Sequence, residues 1–215
     1  MHGIPYEKFL YLWPPRPQTT IKPGSKHFEA MKKRAGYCGQ LKLNGQRSPI
    51  YIDPDMNVAL WNRHGGRHLN YNVPAWLVEQ VQASVKHTGM WLVIDGELLH
   101  AKDKSIKNTL YWWDVLVFEG CYLIGTTYEH RHEMLREIVD VKEDDGGIAK
   151  VTDNIWLADI FSPDKYDEMW KRTQTSWVEG FVFKKLDAKL QPCVRQKNNE
   201  SWQLRCRRKS NSYRF

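Results

Sequence analysis

The run Lys42-Leu43-Asn44-Gly45-Gln46-Arg47 places a lysine at the end of an apolar segment, then a tight-turn dipeptide, then a second cation. That grouping suits nucleophilic chemistry at phosphorus. A lysine amine attacks an α-phosphate only when neutral, and lysine shifts its pKa readily when partly buried or set near cations and a metal. A strand end holds such an amine rigidly, and a glycine at position 45 lets phosphates come close to the backbone. Four further fragments carry residues of the right types. Leu60-Trp61-Asn62-Arg63-His64-Gly65 runs a strand into a turn with an arginine at its mouth. Ile94-Asp95-Gly96-Glu97-Leu98 reads as a strand ending in a turn, followed by an acid inside a second strand. Leu110-Tyr111-Trp112-Trp113-Asp114-Val115-Leu116 is an aromatic-rich strand with one aspartate. Val178-Glu179-Gly180-Phe181-Val182-Phe183-Lys184 holds an acid and a lysine five positions apart. On a regular strand those two face opposite ways unless the backbone kinks, and Gly180 is where a kink is cheap.

Taken singly, each fragment has an ordinary structural reading. Asp95-Gly96 is a common hairpin turn, Trp112 and Trp113 suit a core, and Asp114 suits a buried cap. Arg63 and Glu179 suit solvated surfaces. Their order along one chain is what joins them into a candidate site.

The elements that must position these residues are mostly strands. Residues 37–43, 49–52, 58–61, 91–94, 111–118 and 177–185 read as strands, with Asp53-Pro54-Asp55 turning a hairpin between the second and third. Residues 26–35 read as a short basic helix ended by Gly36, and 73–87 space Trp76, Leu77, Val81 and Val85 near a helical period. Residues 131–139 put Met134, Leu135 and Ile138 on one helical face, 144–147 form a turn, and 164–173 form a helix. The proline-rich segment from Trp13 to Gly24 is an extended arm, and 193–215 alternate as strand with a polar break at Asn198-Asn199-Glu200. Irregular alternation of many strands with few helices gives an α+β fold in one domain, with residues 1–36 as an arm and short helix belonging to a catalytic body at 37–215.

Composition sets the bounds. With 215 residues, 41% hydrophobic and 27% charged, the chain can bury a sizeable core. Net charge +7 fits a polyanionic partner, and ten tryptophans supply either core or stacking surface. Cys38, Cys121, Cys193 and Cys206 lie far apart with no CxxC pair, which excludes zinc-ligand spacing and implies no disulfide framework. No apolar run approaches a membrane span, and residues 1–12 have no signal-peptide character. The expectation is a cytoplasmic monomer.

The ordered elements resemble the covalent nucleotidyltransferase superfamily, which comprises ATP-dependent DNA ligases, RNA ligases and mRNA capping enzymes. The resemblance covers residues 40–207. It implies an antiparallel-sheet adenylation domain in which Lys42 forms a lysyl–AMP phosphoramidate and passes AMP to the 5′-phosphate of a nick. By the same resemblance Gln40 and Leu41 lie by the adenine, Trp113 stacks on it with Trp112 as rival, and Glu97 accepts from the ribose hydroxyls. Arg47 contacts ribose or phosphates, Lys184 lies by the phosphates, and Arg63 serves the substrate phosphate. Glu179, with Glu97, holds Mg²⁺. The closing basic pair is Arg205 and Arg207, on one strand face, with Arg207 and Lys209 as the alternative. Asn44 replaces the usual aspartate of the lysine element, as RNA ligases tolerate. Two departures stand out: the closing pair has arginine for lysine, shifted by one residue from the commonest spacing, and the OB-fold domain is missing. By the resemblance, so compact a form suggests a phage or accessory enzyme.

The implied cofactors are ATP and Mg²⁺, and the implied partner is nicked duplex DNA. Asn62-Arg63-His64-Gly65, Asp95-Gly96-Glu97-Leu98 and Arg131-His132-Glu133-Met134-Leu135 resemble DNA ligase elements, while Asn44 and the Glu179–Lys184 element suit RNA or hybrid ends. A decayed, non-catalytic binding module is the rival of another class. Two basic surfaces are expected to hold the duplex: Lys184, Lys185, Lys189, Arg195, Lys197, Arg205, Arg207, Arg208, Lys209 and Arg214 near the C-terminus, and Arg16, Lys22, Lys26, Lys32, Lys33 and Arg34 in the arm.

Overall fold

Alternating burial and a crossing between two sheets explain most of the architecture. A computed structural model describes residues 4–208. In chain order its strands are β1 (Ile4–Pro5), β2 (Arg16–Ile21), β3 (Tyr37–Leu43), β4 (Gln46–Arg47), β5 (Ile50–Ile52), β6 (Val58–Leu60) and β7 (Leu92–Leu99). There follow β8 (Thr109–Phe118), β9 (Cys121–Tyr122), β10 (Glu143–Asp144), β11 (Ile148–Lys150), β12 (Ile155–Ala158), β13 (Val178–Lys185) and β14 (Asn199–Arg207). The helices are α1 (Lys26–Met31), α2 (Ala75–Ser84), α3 (Tyr128–Ile138) and α4 (Tyr166–Arg172).

Two sheets result. The larger runs β10-β11-β12-β8-β7-β5-β6, with β4 on β7 and β9 joining β1 to β8; the smaller runs β2-β14-β13-β3. Most pairs are antiparallel, but β12 on β8 and β2 on β14 are parallel. The fold is α+β, as the residue pattern predicts.

β7 is buried along its whole length, because it lies between β8 and β5 with a core on each side. On one side Leu77 and Val81 of α2, and Met134, Leu135 and Ile138 of α3, join Ile50, Ile94, Trp112 and Val115. The other core joins Leu41 and Leu43 of β3 to Phe181 and Phe183 of β13, with Phe161, Tyr166 and Tyr111. Trp76, counted among the apolar face of α2, points outward and is 41% exposed.

Three expectations change in detail. Asp95-Gly96 makes no turn: both residues lie inside β7, where a register shift against β8 forms a bulge. Gly96 is required there because a Cβ would stand 2.7 Å from the Tyr111 carbonyl oxygen. The basic helix stops at Met31, well before residue 35, and Gly36 adopts φ +74°. The polar Asn199 and Glu200 do not interrupt the last strand; they begin it, and the irregularity falls between Glu200 and Leu204. The extended arm is itself a sheet strand, with Arg205 opposite Thr20 and Cys206 opposite Ile21.

Candidate active site

Lys42 is the next-to-last residue of β3, the edge strand of the smaller sheet. At Asn44-Gly45 the chain leaves that sheet, and two residues later β4 pairs with β7 of the larger one. The lysine therefore stands at the seam. Gly45 lines the cleft and also makes a close packing contact. Its backbone N–H donates to Glu97 Oε1 at 3.0 Å, and a Cβ would lie 2.6 Å from Glu97 Cγ.

Across the seam β13 brings Glu179. The register of β13 on β3 shifts between Val178 and Gly180, and Gly180 takes φ +144° with no room for a Cβ, 2.1 Å from the Cys206 carbonyl oxygen. This is the expected kink. Glu179 Oε2 lies 2.6 Å from Lys42 Nζ and 3.1 Å from Arg207 Nε, while Lys184, five residues on, lines the same cleft. Burial alone would raise the Glu179 carboxyl, but Lys42 and then Arg207 outweigh it and hold it below the usual range. Glu97 goes the other way. Burial raises it, against the pull of Lys42 and Lys102, and the nearby Glu179 adds to the rise.

Asp95, assigned above only to a turn, is the hub of the opposite wall. It is buried and accepts from Arg47 through both oxygens, at 2.9 Å for Nε–Oδ1, and from Trp113 Nε1 at 2.7 Å. Arg47 also donates to the Pro15 carbonyl at 2.7 Å. One carboxylate thus fixes both a cation and an indole. Trp113 is half-buried and lines the cleft, whereas Trp112 is wholly in the core, so geometry selects Trp113 of the two. Lys184 Nζ donates to Tyr128 Oη at 3.2 Å and lies over the Tyr128 and Trp113 rings at 4.4 and 5.8 Å. Burial pulls its ammonium down to about 8. Gln40 Nε2 donates to the Ala158 carbonyl, and the Leu41 carbonyl accepts from Tyr111 Oη.

A single cavity of about 660 Å³ gathers these groups. Its lining includes Gln40, Leu41, Lys42, Arg47, Arg63, Glu97, Trp113, Lys184, Arg205 and Arg207, and Glu179 reaches it through its ion pair with Lys42. Gln40, Leu41, Lys42, Arg47, Arg63, Glu97, Trp113, Glu179, Lys184, Arg205 and Arg207 therefore converge on one place. Arg205 and Arg207 share the cleft, the former donating to Thr20 Oγ1 at 2.6 Å; Lys209, of the alternative pair, lies outside the described residues.

The reading missed some lining residues. Arg16, counted only as an arm cation, lines the cleft; burial, Arg47, Arg63 and Arg205 together lower its pKa, which marks a concentration of positive charge. Lys102 lines it too and acts on both Glu97 and Glu179. Neither falls in a recognisable motif. Of the described cations from Lys184 onward, Lys184 is buried, Lys185 pairs with Asp187, and Arg208 donates to the Val178 carbonyl; Lys209 and Arg214 lie outside the described residues. In the arm, Lys32 is tied to Glu29 and Asp167.

No protein-family model matches the sequence. Solved structures do match in fold. A mycobacterial DNA ligase D complexed with ATP and MES superposes with TM-score 0.56 at 17% identity over 91% of this chain and 60% of that one. The ligase domain of LigD from M. tuberculosis gives 0.54 at 17% identity, over 86% and 57%. A minimal-scaffold Lig E DNA ligase gives 0.52 at 15% identity, over 88% and 68%. The chain spans about 60% of the length of the LigD structures it resembles. The chain shares its fold with these DNA ligase structures.

Proposed function

We propose that the chain is an ATP-dependent polynucleotide ligase that seals nicks in duplex DNA, with Lys42 as its nucleophile. The observation that carries the reading is the Lys42–Glu179 contact of 2.6 Å at the seam of two sheets, inside a cleft that also holds Glu97, Trp113, Arg47 and three further cations, Lys184, Arg205 and Arg207. Chains this distant share a fold without sharing chemistry, so the site must bear the argument.

The Lys42 ammonium gives up a proton to solvent, and the neutral amine attacks the α-phosphorus of ATP. A P–N bond forms, the bond to the bridging oxygen breaks, and pyrophosphate leaves with that electron pair. An oxygen of the nick 5′-phosphate then displaces the amine, and the 3′-hydroxyl finally displaces AMP. Glu179 holds the resting ammonium in line, and the cations Arg205, Arg207 and Lys184 meet developing phosphate charge. Trp113, fixed edge-on by Asp95, offers its face to the adenine.

No group of three or more His, Cys, Asp or Glu side chains that could hold a metal occurs among the described residues. Mg²⁺ needs no such group, being satisfied by one or two carboxylates with phosphate oxygens and water. Glu97 and Glu179, two acids that repel across one cleft, fit that demand. The ion would supply neutralisation of the triphosphate.

The test is incubation with α-labelled ATP and Mg²⁺ after pyrophosphate treatment to strip any resident AMP. Label is expected on the denatured parent and absent from Lys42→Ala. An unlabelled parent would favour a non-catalytic binding module, and labelling by GTP alone would favour the capping type. Asn44 is the residue that speaks for RNA, so sealing should be compared on DNA, RNA and hybrid nicks. DNA is expected to be sealed fastest.

A further inference from the structure

One wall of the cleft has features that the reading above leaves unused. Between Asp55 and Glu79 there is no acidic residue, yet Arg63, His64, Arg67 and His68 all fall there. Such a segment suits a polyanion. It also presents Leu69, which is 96% exposed and lines the same cavity as Lys42. A lone exposed leucine is ordinary on a surface. This one stands among cations at the mouth of the cleft.

Beside it, the Tyr71 and His100 rings lie 4.6 Å apart, and Tyr71 Oη and His100 Nδ1 are both shielded from water without a hydrogen-bond partner. Leaving a shielded polar atom unpaired is unfavourable, so this pair has hydrogen-bonding capacity that a water or a ligand oxygen can take up. Burial lifts the Tyr71 hydroxyl to about 12, which leaves it a neutral donor. His68 is anchored to Ser48 Oγ at 3.0 Å and meets Tyr71 edge-on, which stiffens the wall.

We propose that this wall is a subsite for the nucleotide flanking the nick, with Leu69 as an apolar wedge and the Tyr71–His100 pair hydrogen-bonding its sugar–phosphate oxygens. The inference rests on the ligase reading and adds a contact that is not electrostatic. A nucleic acid is favoured over a protein partner because the stretch from Met56 to Val78 carries two arginines and no acid, and the wall adjoins the nucleophile's cleft. Leucine is among the side chains that wedge against base steps.

The test measures the Kd of the full-length, adenylated chain for a nicked duplex across a salt series. Leu69→Ala and Tyr71→Phe are each expected to weaken binding, the former by about tenfold, the scale of a lost apolar contact. Because neither substitution removes a charge, the slope of log Kd against log salt should stay that of the parent, whereas Arg63→Ala should reduce it by about one. A 2-aminopurine beside the nick should brighten on binding the parent, brighten less with Leu69→Ala, and recover with Leu69→Met. The subsite is overturned if Leu69→Ala binds within about twofold of the parent at every salt, a difference below what one contact contributes, or if its salt slope changes. A parent that forms no lysyl–AMP sinks the ligase reading instead, so the two failures are told apart.

Discussion

Two carboxylates on two sheets meet cations in opposite ways. Asp114 of β8 is gripped through both oxygens by Arg131 of α3, at 2.8 and 3.0 Å, and the two side chains are 3% and 0% exposed. Arg131 spends a further donor on the Thr126 carbonyl at 2.7 Å. Glu179 of β13 is met by Lys42 at 2.6 Å and by Arg207 at 3.1 Å, with 22%, 16% and 24% exposure. The first pair is closed: its geometry is bidentate and water cannot reach it. The second is open and contested, so an incoming phosphate can exchange with the carboxylate. A closed pair can only hold a fold in place; an open one can take part in a reaction.

The comparison breaks most visibly at Arg131. Arg131→Met should lower unfolding stability by about 3–5 kcal/mol, because Asp114 is left as an uncompensated buried charge. Urea unfolding measures this, and a loss below about 1 kcal/mol, the scale of an exposed pair, would show the pair is not closed. Glu179→Gln should do the reverse. It keeps the shape and leaves the unfolding midpoint nearly unchanged, but should slow label transfer to Lys42 by about 100- to 1,000-fold, the scale for losing one preorganised electrostatic group. Equal damage to stability and labelling would erase the distinction.

Most of the open site was legible in the sequence, and most of the closed scaffold was not. Lys42, Glu97, Trp113, Glu179 and Arg207 lie in short strand-and-turn fragments that only their order along the chain, and the resemblance it carries, joined into one site, and β3 was expected over residues 37–43, where it lies. Asp95 was misread because Asp-Gly has two uses, and only the pairing of β7 with β8 reveals a bulge where a turn was expected. Arg131 was noted as the start of a helix resembling a DNA ligase element, but its pairing with Asp114 was not, since that partner is 17 positions away in another element. Arg16 and Lys102 enter the cleft through a parallel pairing of the arm and an irregular loop, neither of which leaves a periodic signal. The kink at Gly180 was foreseen for a physical reason: two functional residues five apart cannot share a face on a straight strand.

Gly45 tests whether the open pair depends on its scaffold. Gly45→Ala would drive a Cβ to 2.6 Å from Glu97 Cγ and 2.7 Å from the Leu98 carbonyl oxygen. Overpacking of this kind costs about 1–3 kcal/mol, and displacement of Glu97 should slow labelling further than stability alone explains. A variant with parental labelling at full occupancy of the fold would show that Glu97 is not needed where it stands.

Lys184 is the intermediate case, buried like Arg131 but with no carboxylate at ion-pair distance among the described residues. Its neighbours are two aromatic rings and the Tyr128 hydroxyl. Burial lowers its pKa from 10.5 to about 8. Between those values the unfolded chain holds more protons at this site than the folded one, so the site's contribution to stability improves as pH rises through that window. Below pH 8 the full penalty of the buried ammonium is present. Lys184→Met should therefore be more stable than the parent by about 1–2 kcal/mol at pH 7, where an apolar group replaces a poorly compensated charge. The advantage should shrink as pH climbs toward 10.5, while labelling by ATP at pH 7 is expected to fall because the cation proposed to meet the phosphates has gone. Urea midpoints of both proteins at pH 7 and 9.5 decide it. An advantage that is constant with pH, or a variant weaker at pH 7, would mean that the rings and hydroxyl compensate the charge as fully as Asp114 compensates Arg131.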